Sequence, residues 1–264
     1  MDPLTSEGSS PADASSAEPA EPDVTVDFLL GGRVRLFQPK RGYRAAIDPV
    51  LLAAAVGARP GERVLDAGCG TGAASLCLAV RCPEVAITGL ERDRDALALA
   101  RASVAAAGLE TRIRLVEGDL SHPPAAIRRT AFDWVASNPP FLAPERARVP
   151  VEPGRAAARV ETVEPARWIA ACLARLAPGG RLVLVHRADR LPELAAALRG
   201  RAGEITIFPL WPKEGEPARR ILLRARKGSR APARLLPGLV LHRPDGRYTE
   251  AAEAVLRGAE PIRW

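Results

Sequence analysis

Val64-Leu65-Asp66-Ala67-Gly68-Cys69-Gly70-Thr71-Gly72 decides the fold. Residues 63–67 have strand character, and from Gly68 every second position is Gly. The run Ala73-Ala74-Ser75-Leu76-Cys77-Leu78-Ala79-Val80 then predicts a helix. Strand, glycine turn and helix in that order form the ligand-binding corner of a doubly wound sheet. Gly68 and Gly70 let the backbone turn sharply and approach a ligand with no Cβ in the way. Asp66 offers a carboxylate at the strand's carboxyl end. A glycine loop alone does not name its ligand; the residues downstream do.

Beyond this corner, strands and helices alternate. Strands predicted at 85–90, 113–116 and 132–136 end at Glu91, at Glu117-Gly118-Asp119 and at Ser137-Asn138-Pro139-Pro140-Phe141. Helices are predicted over 93–107, with Gly108 as stop, over 164–176 and over 191–199, and strands over 181–185 and 204–208. Residues 211–217 are too few for a crossover helix, so strand 219–226 must pair antiparallel with its predecessor. The expected fold class is α/β: a Rossmann-like, seven-stranded, mostly parallel sheet ending in an antiparallel hairpin, with helices on both faces. A long loop, 142–162, carries Arg146, Arg148, Arg155 and Arg159.

Upstream, residues 1–23 are rich in Ser, Pro, Ala and Glu and bury too little apolar surface to fold, so a disordered tail is expected. Residues 24–38 predict a hairpin around Gly31-Gly32. The basic stretch Lys40-Arg41-Gly42-Tyr43-Arg44 follows, then a helix with Asp48 as cap and Pro49 in its first turn. Residues 24–60 are read as a hairpin and lid helix, 61–230 as the main domain, and 231–264 as an extension packed on it, ending in a short helix at 250–256.

The chain of 264 residues, 47% hydrophobic and 26% charged, carries one sizeable core. No run reaches the length of a membrane span, and the first residues lack a signal-peptide pattern. A soluble, cytoplasmic protein without a membrane partner is expected. The net charge of +7 favours a polyanion such as nucleic acid, although a GC-rich genome also encodes abundant Arg, Ala, Gly and Pro. The four cysteines form no Cys-x-x-Cys pair and the three histidines are scattered, so no metal site is expected.

Asp66, Glu91 and Asp119 close three successive strands, whose ends line one crevice in a doubly wound sheet. Glu91 falls where a carboxylate takes both ribose hydroxyls, and Asp119 can accept from an adenine amino group. An adenosyl ligand follows: a nicotinamide dinucleotide or S-adenosylmethionine. Asp66, two residues before the first Gly, would repel a pyrophosphate but suits the cationic methionine end. Asn138-Pro139-Pro140-Phe141 supplies the acceptor chemistry. An aryl amine is a poor nucleophile because its lone pair is delocalised into the ring. The Asn138 side-chain oxygen and the Pro139 carbonyl can accept both N–H bonds and localise that pair. The prolines fix φ and bring no competing N–H, and Phe141 offers a face for stacking. Trp134 and Trp168 are read as core.

Together, Asp66-x-Gly-x-Gly-x-Gly, Glu91, Asp119 and Asn138-Pro139-Pro140-Phe141 resemble class I methyltransferases that modify a planar nitrogen. From about Val24 to Trp264 the chain is similar to the bacterial tRNA adenosine N6-methyltransferases that act beside the anticodon of a valine tRNA. Gly42-Tyr43-Arg44-x-x-x-Asp48-x-x-Leu51-Leu52 and Leu241-His242-x-x-Asp245-Gly246-x-Tyr248-Thr249 carry that likeness, and a separate N-terminal domain of the kind found in release-factor glutamine methyltransferases is not expected. The resemblance implies that Asn138, Pro139, Pro140 and Phe141 hold the target adenine. It implies that Asp66, Gly68, Gly70, Glu91, Asp119 and Asn138 hold S-adenosylmethionine, with Arg44 and Asp48 in a lid over its methionine end. Lys40, Arg41, Arg146, Arg148, Arg224 and Arg226 are the expected contacts to an RNA substrate, tRNA first. Many members end the catalytic motif in Tyr, where this chain has Phe141; Phe also occurs in guanine N2-methyltransferases of ribosomal RNA. Protein glutamine N5-methylation is a further alternative, and a cofactor-binding RNA-binding module is the alternative without catalysis.

Overall fold

The computed structural model describes residues 24–41, 44–139 and 164–264. The expected tail, Gly42, Tyr43, Pro140, Phe141, Arg146 and Arg148 lie outside them. β1 (Val24–Leu29) and β2 (Val34–Pro39) pair as an antiparallel hairpin. α1 (Asp48–Ala55) leads into β3 (Arg63–Ala67), α2 (Ala73–Arg81), β4 (Ala86–Glu91), α3 (Arg94–Ala106), β5 (Ile113–Glu117), α4 (Ala125–Arg128) and β6 (Phe132–Ser137). Then come α5 (Pro165–Arg175), β7 (Leu176–Arg187), α6 (Leu191–Leu198), β8 (Ala202–Trp211), β9 (Arg220–Lys227), β10 (Arg234–Leu235), β11 (Leu239–Val240) and α7 (Glu250–Leu256).

The main sheet runs β10-β8-β9-β7-β6-β3-β4-β5, with β11 also on β8. β3 to β7 pair in parallel, and β9 inserts antiparallel between β7 and β8. The expected seven strands are all present. β10 and β11 add two residues each, too few for a hydrophobic alternation to announce them. Alternation explains the two layers. Val64, Trp134, Val183, Val185 and Leu222 face one core, while Leu65, Val135, Leu182, Leu184 and Leu223 face the other. The first core lies under α1 and α2, the second under α5 and α6.

The segment read as a lid packs into this body. Residues 49–55 of α1 are buried all round, as expected of a helix with no polar face. Asp48 does not cap α1: Ile47 occupies the cap position, and the Asp48 carboxylate reaches Arg220 at 3.3 Å. The hairpin lies against α3, where the Phe37 N–H donates to Ser103 Oγ at 2.9 Å.

A candidate cofactor and methyl-acceptor site

The strand order reverses between β3 and β6, and the crevice at such a point is where open α/β sheets bind ligands. The register Asp66 to Ala136 sets the two carboxyl ends side by side. Ser137 then fastens them: its hydroxyl donates to the Ala67 carbonyl at 2.6 Å and accepts the Trp168 indole N–H at 3.0 Å. Asn138 is the next residue, and its side-chain oxygen is shielded from solvent.

The glycine loop is folded by its neighbours. Gly68 and Cys69 both donate to the Leu90 carbonyl, at 2.8 and 3.0 Å. Gly68 and Gly70 take φ of +76° and +55°, the left-handed region that excludes most side chains. A Cβ on Gly68 would stand 3.4 Å from the Trp168 ring, while one on Gly70 would meet open space. Trp168, read from the sequence as core, is thus the wall behind the loop. It lies 100 residues downstream of Gly68, and no local pattern marks it.

The three carboxylates occupy distinct environments. Asp66 is 2% exposed. Ser75 Oγ donates to it at 2.7 Å, and no cation meets it among the described residues. Burial, opposed by the Ser75 bonds and reinforced by the charge of Glu91, pushes its pKa up to about 6. Glu91 is held by three backbone donors at 2.8 Å: Gly70 N–H on Oε2, and Arg92 and Asp93 N–H on Oε1. A carboxylate has about four acceptor positions, so Oε2 keeps one to offer a hydroxyl. Asp119 is partly exposed; burial acts to raise its pKa, but the hydroxyl and N–H of Ser121 outweigh it and hold the carboxyl below its ordinary range. Gly118 N–H donates to the Glu91 carbonyl at 2.9 Å, tying the ends of β4 and β5 together. Cys69, within the loop, is buried, and burial with the charges of Asp66 and Glu91 drives its thiol pKa far up.

These groups fit S-adenosylmethionine. A buried carboxylate met by the hydroxyl and N–H of Ser75 and by no cation among the described residues suits a cationic amino-acid end. A backbone-held carboxylate suits a ribose, and a partly exposed one at the third strand suits an adenine edge. Other expected residues lie elsewhere. Arg44 pairs with Asp27 at 2.5 Å and donates to Thr25 and the Pro39 carbonyl, closing the open end of the hairpin. Lys40 and Arg41 are exposed just beyond β2. Arg224 lies 4.4 Å from the Trp264 ring, and Arg226 donates to Gly179 O and faces Glu204. Because β9 is antiparallel, Arg226 sits toward the amino end of β7, in register with Arg181 and away from the crevice, whereas Arg224, in register with Val183 and through it with Ala136, stands level with Asp66 but two strands from β6. Among the described residues, no group of three His, Cys, Asp or Glu could hold a metal ion, and no helix is long and apolar enough to cross a membrane.

Comparison with known proteins gives this crevice a lineage. The methyltransferase small domain matches residues 48–198. A tRNA1(Val) (adenine(37)-N6)-methyltransferase of Porphyromonas gingivalis is 34% identical over 242 residues, 86% of this chain and 92% of that protein. A release factor glutamine methyltransferase of Deinococcus radiodurans is 34% identical over 155 residues, 56% of this chain and 53% of that protein. In structure, the chain is similar to a predicted O-methyltransferase of Agrobacterium tumefaciens, with TM-score 0.68 and 27% identity, covering 82% of this chain and 98% of that one. The chain belongs to the methyltransferase small-domain family and to the family of the tRNA1(Val) (adenine(37)-N6)-methyltransferases: it is a class I methyltransferase whose methyl donor is S-adenosylmethionine.

Proposed function

We propose that this protein methylates the exocyclic N6 of an adenine in RNA, next to the anticodon of a tRNA, in the cytoplasm. The observation that carries the reading is the place of Asn138. It follows Ser137, which is bonded to β3, and so stands beside the glycine loop and the Asp66 strand end. Support for the adenine comes from the relatives. Relatives named for tRNA adenine N6 from Porphyromonas, Aeromonas and Dickeya match over 84–92% of their length, whereas the glutamine methyltransferases of Deinococcus and Bordetella match over about half of theirs.

Asp66, Gly68, Gly70, Glu91 and Asp119 hold the cofactor. S-adenosylmethionine, when bound, supplies an electrophilic methyl group. The Asn138 carboxamide oxygen and the Pro139 carbonyl accept the two N–H bonds of the adenine amine. That pulls the nitrogen out of conjugation and aims its lone pair. Phe141 stacks on the base. The amine loses its surplus proton to water after transfer, so positioning does most of the work and no strong base is needed. An anticodon loop makes extrusion of the base inexpensive.

The test is transfer of labelled methyl from S-adenosylmethionine to total tRNA, ribosomal RNA or release factors, followed by nucleoside or residue mapping. Label on N6-methyladenosine in tRNA is the expected result. Label on guanine in ribosomal RNA, on a glutamine side chain, or on none of the three overturns the proposal.

A further inference from the structure

The edge of the sheet that carries Asn138 continues past β7 to a cavity that this chemistry does not use. β7 and β8 end there and β9 begins there, with Arg187 and Leu210 both in register with Arg220. The cavity, about 330 Å³, opens between this edge, the first residues of α1 and the C-terminal extension. That volume lies at the lower end of the range for small-molecule sites, roughly 300 Å³ upward. β9 is two strands from β6, about 10 Å across the sheet, and Arg220 stands three residues, about 10 Å, beyond the level of Ser137, so the start of β9 lies about 14 Å from the end of β6, in reach of a nucleotide adjoining the target.

Its lining has two characters. Leu210 and Leu241 are buried and give an apolar floor. Asp48 and Arg220 form an ion pair at 3.3 Å, so a fixed acceptor and a fixed donor stand side by side. His242 adds a flat ring that is locked in place: its Nδ1 donates to the Pro212 carbonyl at 3.1 Å, and Tyr248 stacks on it with ring centroids 4.8 Å apart. Arg219 is exposed on the rim and makes no side-chain hydrogen bond or ion pair among the described residues. Other arginines of this edge are neutralised locally: Arg187 by Asp189, Arg190 by Glu193 and Arg243 by Glu250. An apolar floor, an anchored ring, a donor–acceptor pair and one uncommitted guanidinium are what a nucleotide needs for its base face, base edge and phosphate.

We propose that this cavity seats a nucleotide of the RNA substrate that flanks the methylated one. The base lies on Leu210 and Leu241 against His242, Asp48 and Arg220 meet its edge, and Arg219 meets its phosphate. The assignment rests on the RNA reading above.

The test uses the full chain, labelled cofactor and a tRNA anticodon stem-loop, with single abasic substitutions at each position flanking the target. Wild-type KM for RNA is expected to rise about tenfold for an abasic residue at one flanking position, with kcat within about twofold. Arg219→Ala and His242→Ala are expected to raise KM by a similar factor without changing cofactor affinity. The abasic penalty should disappear in His242→Ala, and Arg219→Ala should lower the slope of log affinity against log salt by about one. The abasic scan needs no variant, so a poorly folding substitution does not spoil it. A flat scan with an active wild-type enzyme overturns the subsite alone, as do penalties that add in His242→Ala. A wild-type enzyme that methylates no RNA overturns both the subsite and the function it rests on.

Discussion

Asp66→Asn is expected to stabilise the fold while weakening cofactor binding, and both effects come from one buried charge. Asp66 is 2% exposed and its pKa is pushed from an ordinary 3.8 to about 6. That rise is worth about 3 kcal/mol, at ~1.4 kcal/mol for each tenfold change in proton affinity. The folded chain holds this proton more tightly than the unfolded chain. The stability due to this group is therefore complete below about pH 4 and is lost as pH rises through about 6. Asn cannot ionise, yet it still offers Ser75 an acceptor oxygen. Above pH 6 the cofactor-free variant should be more stable by up to about 3 kcal/mol, raising Tm by about 6–12 °C for a chain of this size. Below pH 4 the advantage should vanish. Thermal unfolding from pH 4 to 8 reads the difference. A variant that melts at or below wild type at pH 7.5, or a Tm gap independent of pH, refutes the reasoning. Calorimetry reads the second half: the variant should bind S-adenosylmethionine at least tenfold more weakly, and wild-type binding near pH 6 should release protons, because a cationic ligand end favours the carboxylate.

Three further outcomes are expected. Asn138→Ala should lower kcat by about a hundredfold or more while cofactor affinity stays near wild type, since it removes an acceptor that engages the amine; loss of cofactor binding in an equilibrium assay would contradict that division of roles. Glu91→Gln should weaken cofactor binding about 10- to 100-fold, because both carboxylate oxygens accept backbone N–H groups and an amide NH2 must face one of them, a mismatch of about 1–3 kcal/mol; unchanged affinity in a titration would refute it. Ser137→Ala should lower stability by about 1–3 kcal/mol, because it strands the buried Ala67 carbonyl and the Trp168 N–H, and a melting curve that superimposes on wild type would show that the bridge is not needed.

The strand–glycine–helix corner, the acidic strand ends and the antiparallel β9 were legible because each is a local pattern or follows from a connection length. Strand ends were less so. β7 extends back to Leu176 through Pro178-Gly179-Gly180, residues that read as a turn. Side-chain partners were least legible, because the fold brings them from far along the chain: Trp168 to Gly68, Asp48 to Arg220, Arg44 to Asp27. Arg226 illustrates a geometric point that was available in advance. An antiparallel strand starts at the crevice edge, so its later residues are carried away from it at about 3.3 Å per residue.

Cys69 lies in the very loop that would cradle an alkylating agent. A sulfur anion there would be a stronger nucleophile than any aryl amine, and the enzyme would risk spending its first turnover on itself. Burial first, and then the carboxylates of Asp66 and Glu91, keep that sulfur protonated. The charges suited to gripping the donor therefore also shield the protein from it.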